Sequence, residues 1–268
     1  LAASALAPFV SSCAVTPPRP GEASVTTLAT QFGISGAYAT LVAGQAAPAV
    51  AVPHASKLPP VPADALFQAA SLTKPVIAFV ALTLQRQGKL DLQAPVSRYL
   101  PDGYRHRQNP GASPPKFDLV DVGVLSRIPV ASLLNHTSGL PNWTSGELRA
   151  DFAAGERWQY SGEGYVLLQA VIGAVTGLAI ETCVRQYVFE PLDMRHSSMR
   201  LTGEVRAHLA SSTSWLPWER PLAFVEPNPA ASLYTTAADY AKLVSHWVRD
   251  EALLEIAHHT PRTADELA

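Results

Sequence analysis

Ser71 and Lys74 stand three residues apart in Phe67-Gln68-Ala69-Ala70-Ser71-Leu72-Thr73-Lys74. On a helix, positions i and i+3 share a face, so the hydroxyl and the amine can meet. A serine at a helix N-terminus lies among unpaired N–H groups, where developing negative charge is favoured. Such a serine becomes a nucleophile when a base takes its proton. Lys74, partly desolvated against the apolar run that follows it, is a candidate proton partner. The tetrapeptide alone does not decide the matter, because an N-cap serine beside a surface lysine is spelled the same way. Ser113-Pro114-Pro115-Lys116 repeats the spacing, but its two prolines disfavour a helical turn.

Tyr160 adds a third group. In Tyr160-Ser161-Gly162-Glu163-Gly164-Tyr165 it precedes a glycine-rich turn and an apolar segment. A tyrosine held there with its hydroxyl exposed, beside an ammonium, could relay a proton to or from a serine. The plain alternative is a tyrosine packed at a helix start. Trp143 and Trp158 either line a cleft near Tyr160 or pack in the core. His136 is expected to fix the turn at Gly139. The pair His258-His259 lacks further ligands at metal-site spacing, so no metal is expected. Cys183, expected in mid-helix and half-buried, reads as inert.

These groups need elements to position them. Val76, Ile77, Val80 and Leu84 give a helical stripe from Ser71 to about Gln87, and Gly88 is a natural stop. Ile34 to Val42 and Ala49 to Val52 read as a hairpin around Gly44-Gln45-Ala46. Residues 53–66 hold four prolines and read as a loop. Residues 101–118 show no period and read as a surface excursion. Leu133 to Pro141 reads as a short helix and tight turn. Helices are expected from Gly162 to Val175, ended by Gly177, and from Ala179 to Phe189, stopped by Pro191. Thr236-Ala237-Ala238-Asp239 has the pattern of a capping box and opens a helix to about Val248. Hairpin, long helix, then mostly helices make an α+β chain with a helical subdomain after the nucleophile. Two strands alone leave an open edge, and no later segment reads as a convincing set of strands.

The 268 residues, 47% hydrophobic and 16% charged, can build a sizeable core. A net charge of -2 without a basic stripe gives no footprint for nucleic acid. Two cysteines cannot make a disulfide framework. The first 18 residues are uncharged, and Val10-Ser11-Ser12-Cys13 resembles a bacterial lipobox. Cys13 would then be lipidated, residues 14–26 a tether, and residues 27–268 the folded domain. The alternative is an apolar N-terminus with an incidental cysteine. Under the first reading the protein is in the bacterial envelope or secreted, and meets a membrane only through that anchor.

Several blocks in order resemble the serine β-lactamase and penicillin-binding-protein superfamily, specifically the class C β-lactamase-like serine hydrolases. They are Phe67 to Lys74, Gly88-Lys89-Leu90-Asp91-Leu92, and Pro95 to Pro101. Leu133 to Leu140, Gly155 to Gly162, Pro191 to Met194 with Ser197-Ser198, and Ala231 to Asp239 complete the series. The resemblance implies an antiparallel sheet flanked by helices. It implies that Ser71 is acylated, with Lys74 and Tyr160 sharing the proton work and no cofactor. The substrate would be a small molecule, peptide or ester: an amide, a β-lactam or an ester. Many β-lactamases of this group carry Asn two residues after the tyrosine, to hold the substrate amide. Here that position is Gly162, which with Trp158 is a candidate substrate contact.

A third family motif, Lys or His followed by Thr or Ser and Gly, is not found. His136-Thr137-Ser138-Gly139 has the wrong spacing, and His259-Thr260-Pro261 carries proline for glycine. The chain therefore reads as a piece of a longer one, with the sheet strands after this stretch missing. It is expected to be poorly stable and nearly inactive alone. A non-catalytic envelope protein using the fold to bind peptidoglycan-like ligands or partners is the alternative.

Overall fold

The computed structural model describes residues 24–52, 61–109, 114–210, 224 and 226–258. Cys13, Ser113 and the His259 motif lie outside these residues. At the centre is a helix, Thr73–Arg86, in which ten of fourteen residues are buried. Val76, Ile77, Val80, Ala81 and Leu84 are fully enclosed, so this helix carries the core and fixes whatever precedes it. Gly88 follows it with φ of +68°, the left-handed stop that glycine adopts without strain.

In chain order, α1 spans Val25–Gln31. It crosses position 26, so the last residues of the expected tether belong to a helix. The expected hairpin forms as a ribbon of four short strands, β1 Gly36–Tyr38, β2 Leu41–Val42, β3 Gln45–Ala46 and β4 Val50–Val52. β1 pairs with β4 and β2 with β3, both antiparallel. Next come β5, Phe67–Ala70, and α2, the central helix. The supposed excursion at 101–118 is instead a regular hairpin of β6, Tyr104–Gln108, and β7, Lys116–Val120. Its hydrophobic pattern is inverted. His106 is 1% exposed, while Phe117 and Leu119 are 40% and 67% exposed.

Short helices α3, Val122–Leu125, and α4, Val130–Leu134, lead to the loop before α5, Gly162–Thr176. Gly177 caps α5 in the left-handed region, as expected. α6, Ile180–Val184, runs directly into one π-helical turn, Arg185–Phe189, so the expected second helix widens halfway. α7, Gly203–His208, precedes β8, Leu233–Thr235. α8, Ala237–Arg249, and α9, Glu251–His258, close the described chain. The Thr236 hydroxyl caps α8 by accepting from Asp239 N–H. The reciprocal half of the capping box is absent, because the Asp239 carboxylate accepts from His196 N–H and the Ser197 hydroxyl instead.

β5 and β8 were not expected as strands. They pair antiparallel, with a register shift between Gln68 and Ala70. This short ladder joins the strand that precedes Ser71 to a segment far later in the chain. Cys183 is fully buried rather than half-buried, and burial raises its thiol above the ordinary value. Among the described residues no single helix is long and apolar enough to cross a membrane.

Candidate active site

Ser71 is exposed in the turn between β5 and α2, two residues before the helix begins. It therefore precedes the helix rather than opening it. Ala70 reaches this turn with φ of +44°, a left-handed conformation that costs a non-glycine residue strain. Thr73 holds the turn closed. Its hydroxyl donates to Ala70 O at 2.6 Å and accepts from Leu233 N–H at 2.9 Å. One buried side chain thus binds the turn of the serine to β8.

One helical turn on, Lys74 is buried with its amine pointing back to that turn. Nζ donates to Ser71 Oγ at 3.4 Å and to Ala230 O at 2.9 Å. It also lies 4.7 Å from the centre of the Tyr160 ring. The Ala230 carbonyl belongs to a tight turn pinned by Asn228 and Ser232. Asn228 Oδ1 accepts from Ala230 N–H, and the Ser232 hydroxyl accepts from Asn228 N–H. A backbone carbonyl leaves no trace in residue types, so this partner of Lys74 could not be read from the sequence.

Tyr160 completes the cluster, with its hydroxyl 2.7 Å from Ser71 Oγ. Burial would raise its phenol, but hydrogen bonds with Lys74 and Ser71 and the Lys74 charge outweigh that and lower it. The three groups singled out by residue type thus meet at hydrogen-bonding distance. Such an arrangement can take a proton from the serine hydroxyl and return it to a leaving group.

His136 backs the tyrosine rather than the Gly139 turn. Its ring lies 4.6 Å from the Tyr160 ring, and Nδ1 accepts from Ser161 N–H at 3.1 Å. That backbone donor requires an unprotonated Nδ1, so the neutral ring carries its proton on Nε2. Burial, with the Lys74 charge, pushes this imidazole down to about 4. Gly139 is needed on other grounds. Its φ is +79°, and a Cβ there would sit 2.1 Å from Phe152 O.

Ser161 is the N-cap of α5, accepting from Gly164 N–H and donating to Pro141 O. Gly162 and Glu163 both donate their N–H to Asn142 O. A Cβ at Gly162 would lie 2.6 Å from Asn142 O and 2.8 Å from the Trp143 ring. No side chain fits there while Trp143 keeps its place. Trp143 and Trp158 are 47% and 55% exposed, so neither is a core residue.

A buried strut that sequence reading missed lies beneath the Trp143 loop. His106 Nδ1 is 2.7 Å from Asp118, and Nε2 is 3.4 Å from Glu163. Glu163 also accepts from Thr144 N–H, and Asp118 accepts from Leu148 N–H. Burial raises the Glu163 carboxyl despite its hydrogen bonds. Asp118 is lowered, because the Leu148 amide and His106 outweigh its desolvation. The loop 144–148 is therefore gripped at both ends by one chain of ionisable groups.

Comparison with known proteins bears on this geometry. The beta-lactamase family model matches residues 23–267. Esterase EstB of Burkholderia gladioli is 32% identical over 166 residues, which are 51% of this chain and 39% of that protein. Penicillin-binding protein 4* of Bacillus subtilis is 29% identical over 177 residues, 56% of this chain and 35% of that protein. The chain thus covers well under half the length of these relatives. A class C beta-lactamase solved with cefoxitin superposes with a TM-score of 0.61 at 22% identity, covering 84% of this chain and 66% of that one. FmtA from Staphylococcus aureus gives 0.63 at 19% identity, covering 84% and 63%. At such identities these two matches show the fold, an α+β arrangement of the β-lactamase type. The chain belongs to the beta-lactamase family of serine hydrolases, which includes β-lactamases, penicillin-binding proteins and esterases.

Proposed function

We propose that the protein is a serine hydrolase that works through an acyl-enzyme at Ser71, and that its substrate is an ester. The observation that carries the reading is the position of Ser71 Oγ, 2.7 Å from the Tyr160 hydroxyl and 3.4 Å from Lys74 Nζ. Tyr160, ionised beside the Lys74 ammonium, takes the Ser71 proton as Oγ attacks the ester carbonyl. The Ser71 N–H stabilises the oxyanion that forms. Tyr160 then gives the proton to the departing alkoxide, and the alcohol leaves. Water, deprotonated by the same tyrosine, attacks the acyl carbonyl; the bond to Ser71 Oγ breaks, the acid leaves, and Tyr160 returns the proton to Oγ.

The choice of ester over amide or β-lactam rests on Gly162 and Trp143. An indole ring fills the place where an amide-holding side chain would stand. An extracytoplasmic location suits such an enzyme, and lipidation of Cys13 is the specific form we propose for it. Metabolic labelling with palmitate, lost in Cys13→Ser, tests that point.

A fluorophosphonate probe tests the chemistry. The protein should be labelled, and Ser71→Ala should abolish the label. A fluorescent penicillin should label more slowly. If neither reagent modifies Ser71, the hydrolase reading fails; if penicillin reacts faster, the ester preference fails.

A further inference from the structure

We infer that Trp143, together with Trp158, forms an aromatic substrate-binding strip around Tyr160, and that the ester carries a planar aromatic group that stacks on it. The inference rests on the hydrolase reading and names its substrate class. Ser161 has extended dihedrals, φ −132° and ψ 113°. In extended backbone, side chains two apart project to one side. Tyr160 and the vacant position at Gly162 therefore project to one side of the chain. Trp143 comes from another segment to fill the vacancy, its ring 2.8 Å from where a Cβ of Gly162 would be. The Trp158 ring is 6.4 Å from Tyr160 and packs edge-on to His136 at 6.0 Å. One indole thus lies beside the Tyr160 ring, and the other covers the position two residues after it.

Both indoles remain about half exposed, although burying an aromatic ring is among the larger apolar gains available to a chain. Trp143 is not held loosely. Thr144 N–H is fixed by Glu163, and Asn142 O by two amides at the start of α5. Beyond Trp143 a cleft of about 490 Å³ continues along α5, past Val166 and Ala170 and under Pro229. An exposed, backbone-anchored indole at the mouth of this cleft, with a second exposed indole beside the Tyr160 ring, is a preorganised surface for a flat apolar group.

The experiment compares esters equal in size but different in planarity. On the acyl side these are 4-nitrophenyl phenylacetate and 4-nitrophenyl cyclohexylacetate. On the alcohol side they are benzyl acetate and cyclohexylmethyl acetate. In at least one pair the aromatic member should have a kcat/KM higher by roughly three- to tenfold, the range that ring stacking supplies beyond area alone. Trp143→Ala should bring that ratio to near one, and Trp143→Phe should preserve it. Trp143→Leu serves as the non-aromatic variant if the alanine form does not fold. Equal rates within both pairs, or a preference that survives loss of the ring, overturn the inference while leaving the hydrolase reading intact. If no ester is turned over, the ester preference fails, and indole fluorescence on titration with phenylacetate and cyclohexylacetate decides the strip separately. Tighter binding of phenylacetate that Trp143→Leu removes supports it, and equal binding overturns it.

Discussion

The Lys74 ammonium governs its neighbours at the residue scale. It lowers Tyr160 through a hydrogen bond and through its charge, so the phenolate forms below the ordinary tyrosine value of about 10. The rate of ester cleavage should therefore rise with pH through an inflection below that value, set by the Tyr160 phenol. Lys74→Met removes both lowering influences, so the inflection should move to higher pH as well as the rate falling. Tyr160→Phe should lower kcat by about 10²- to 10⁴-fold, the usual worth of a positioned acid–base group. Matching pH–rate profiles for the native protein and Lys74→Met would sink the assignment. The same charge acts on His136 in the opposite sense, helping burial hold it down to about 4. Between about 4 and the unfolded value near 6.5, the unfolded chain binds more protons at this site than the folded one. Stability from His136 is therefore complete above pH 6.5 and is lost as pH falls towards 4. His136→Asn, whose side-chain oxygen can still accept from Ser161, should show a smaller drop in Tm than the native protein over that window. The residues of the cluster were legible because the Ser71–Lys74 spacing, ambiguous alone, was joined by the Tyr160 turn and by blocks in the family's order. The Ala230 carbonyl was not, since every residue has one.

At the scale of elements, the β6–β7 hairpin explains both a misreading and a function. Sequence patterns find strands by apolar residues pointing inward. Here the inward positions hold His106 and Asp118, while Phe117 and Leu119 face outward, so the period is present with its sign reversed. The polar interior exists to reach Glu163 and pin the loop of Trp143. Helices α2, α5 and α8 were legible because their stripes and stops are ordinary: Gly88, Gly177 and the Thr236 cap fall where the pattern put them. His106→Leu should leave the buried Glu163 carboxyl and the part-buried Asp118 carboxylate without their shared imidazole partner. That should cost about 1–3 kcal/mol, the usual penalty for a buried polar group left without its partner. Glu163→Gln keeps an acceptor for Thr144 N–H and should cost less. Urea unfolding of the two variants gives the comparison, and equal losses would show that the strut is not a unit. Gly139→Ala should be worse tolerated than either, since its Cβ would meet a carbonyl oxygen in a left-handed turn.

For the whole molecule, the decisive contact is the one between distant parts of the chain. The serine's turn and the Ala230 turn are joined by the β5–β8 ladder, and each of those strands is only three or four residues long. Runs so short carry no periodic signal, which is why sequence reading found blocks in the family's order but not the sheet that unites them. Thr73 sits at the joint, buried in the first turn of α2 and bonded to both strands through one oxygen. Thr73→Val keeps the shape but removes the hydroxyl, leaving Ala70 O without that donor and the buried Leu233 N–H without its acceptor. An unsatisfied buried group costs about 1–3 kcal/mol, so the urea midpoint should fall by an amount in that range. The activity should fall further than stability alone requires, because β8 leads directly from the turn that presents Ala230 O to Lys74. Thr73→Ser retains the oxygen and should recover both properties. If fluorophosphonate labelling of Ser71 in folded Thr73→Val runs at the native rate, the ladder stabilises the fold without setting the geometry of the lysine.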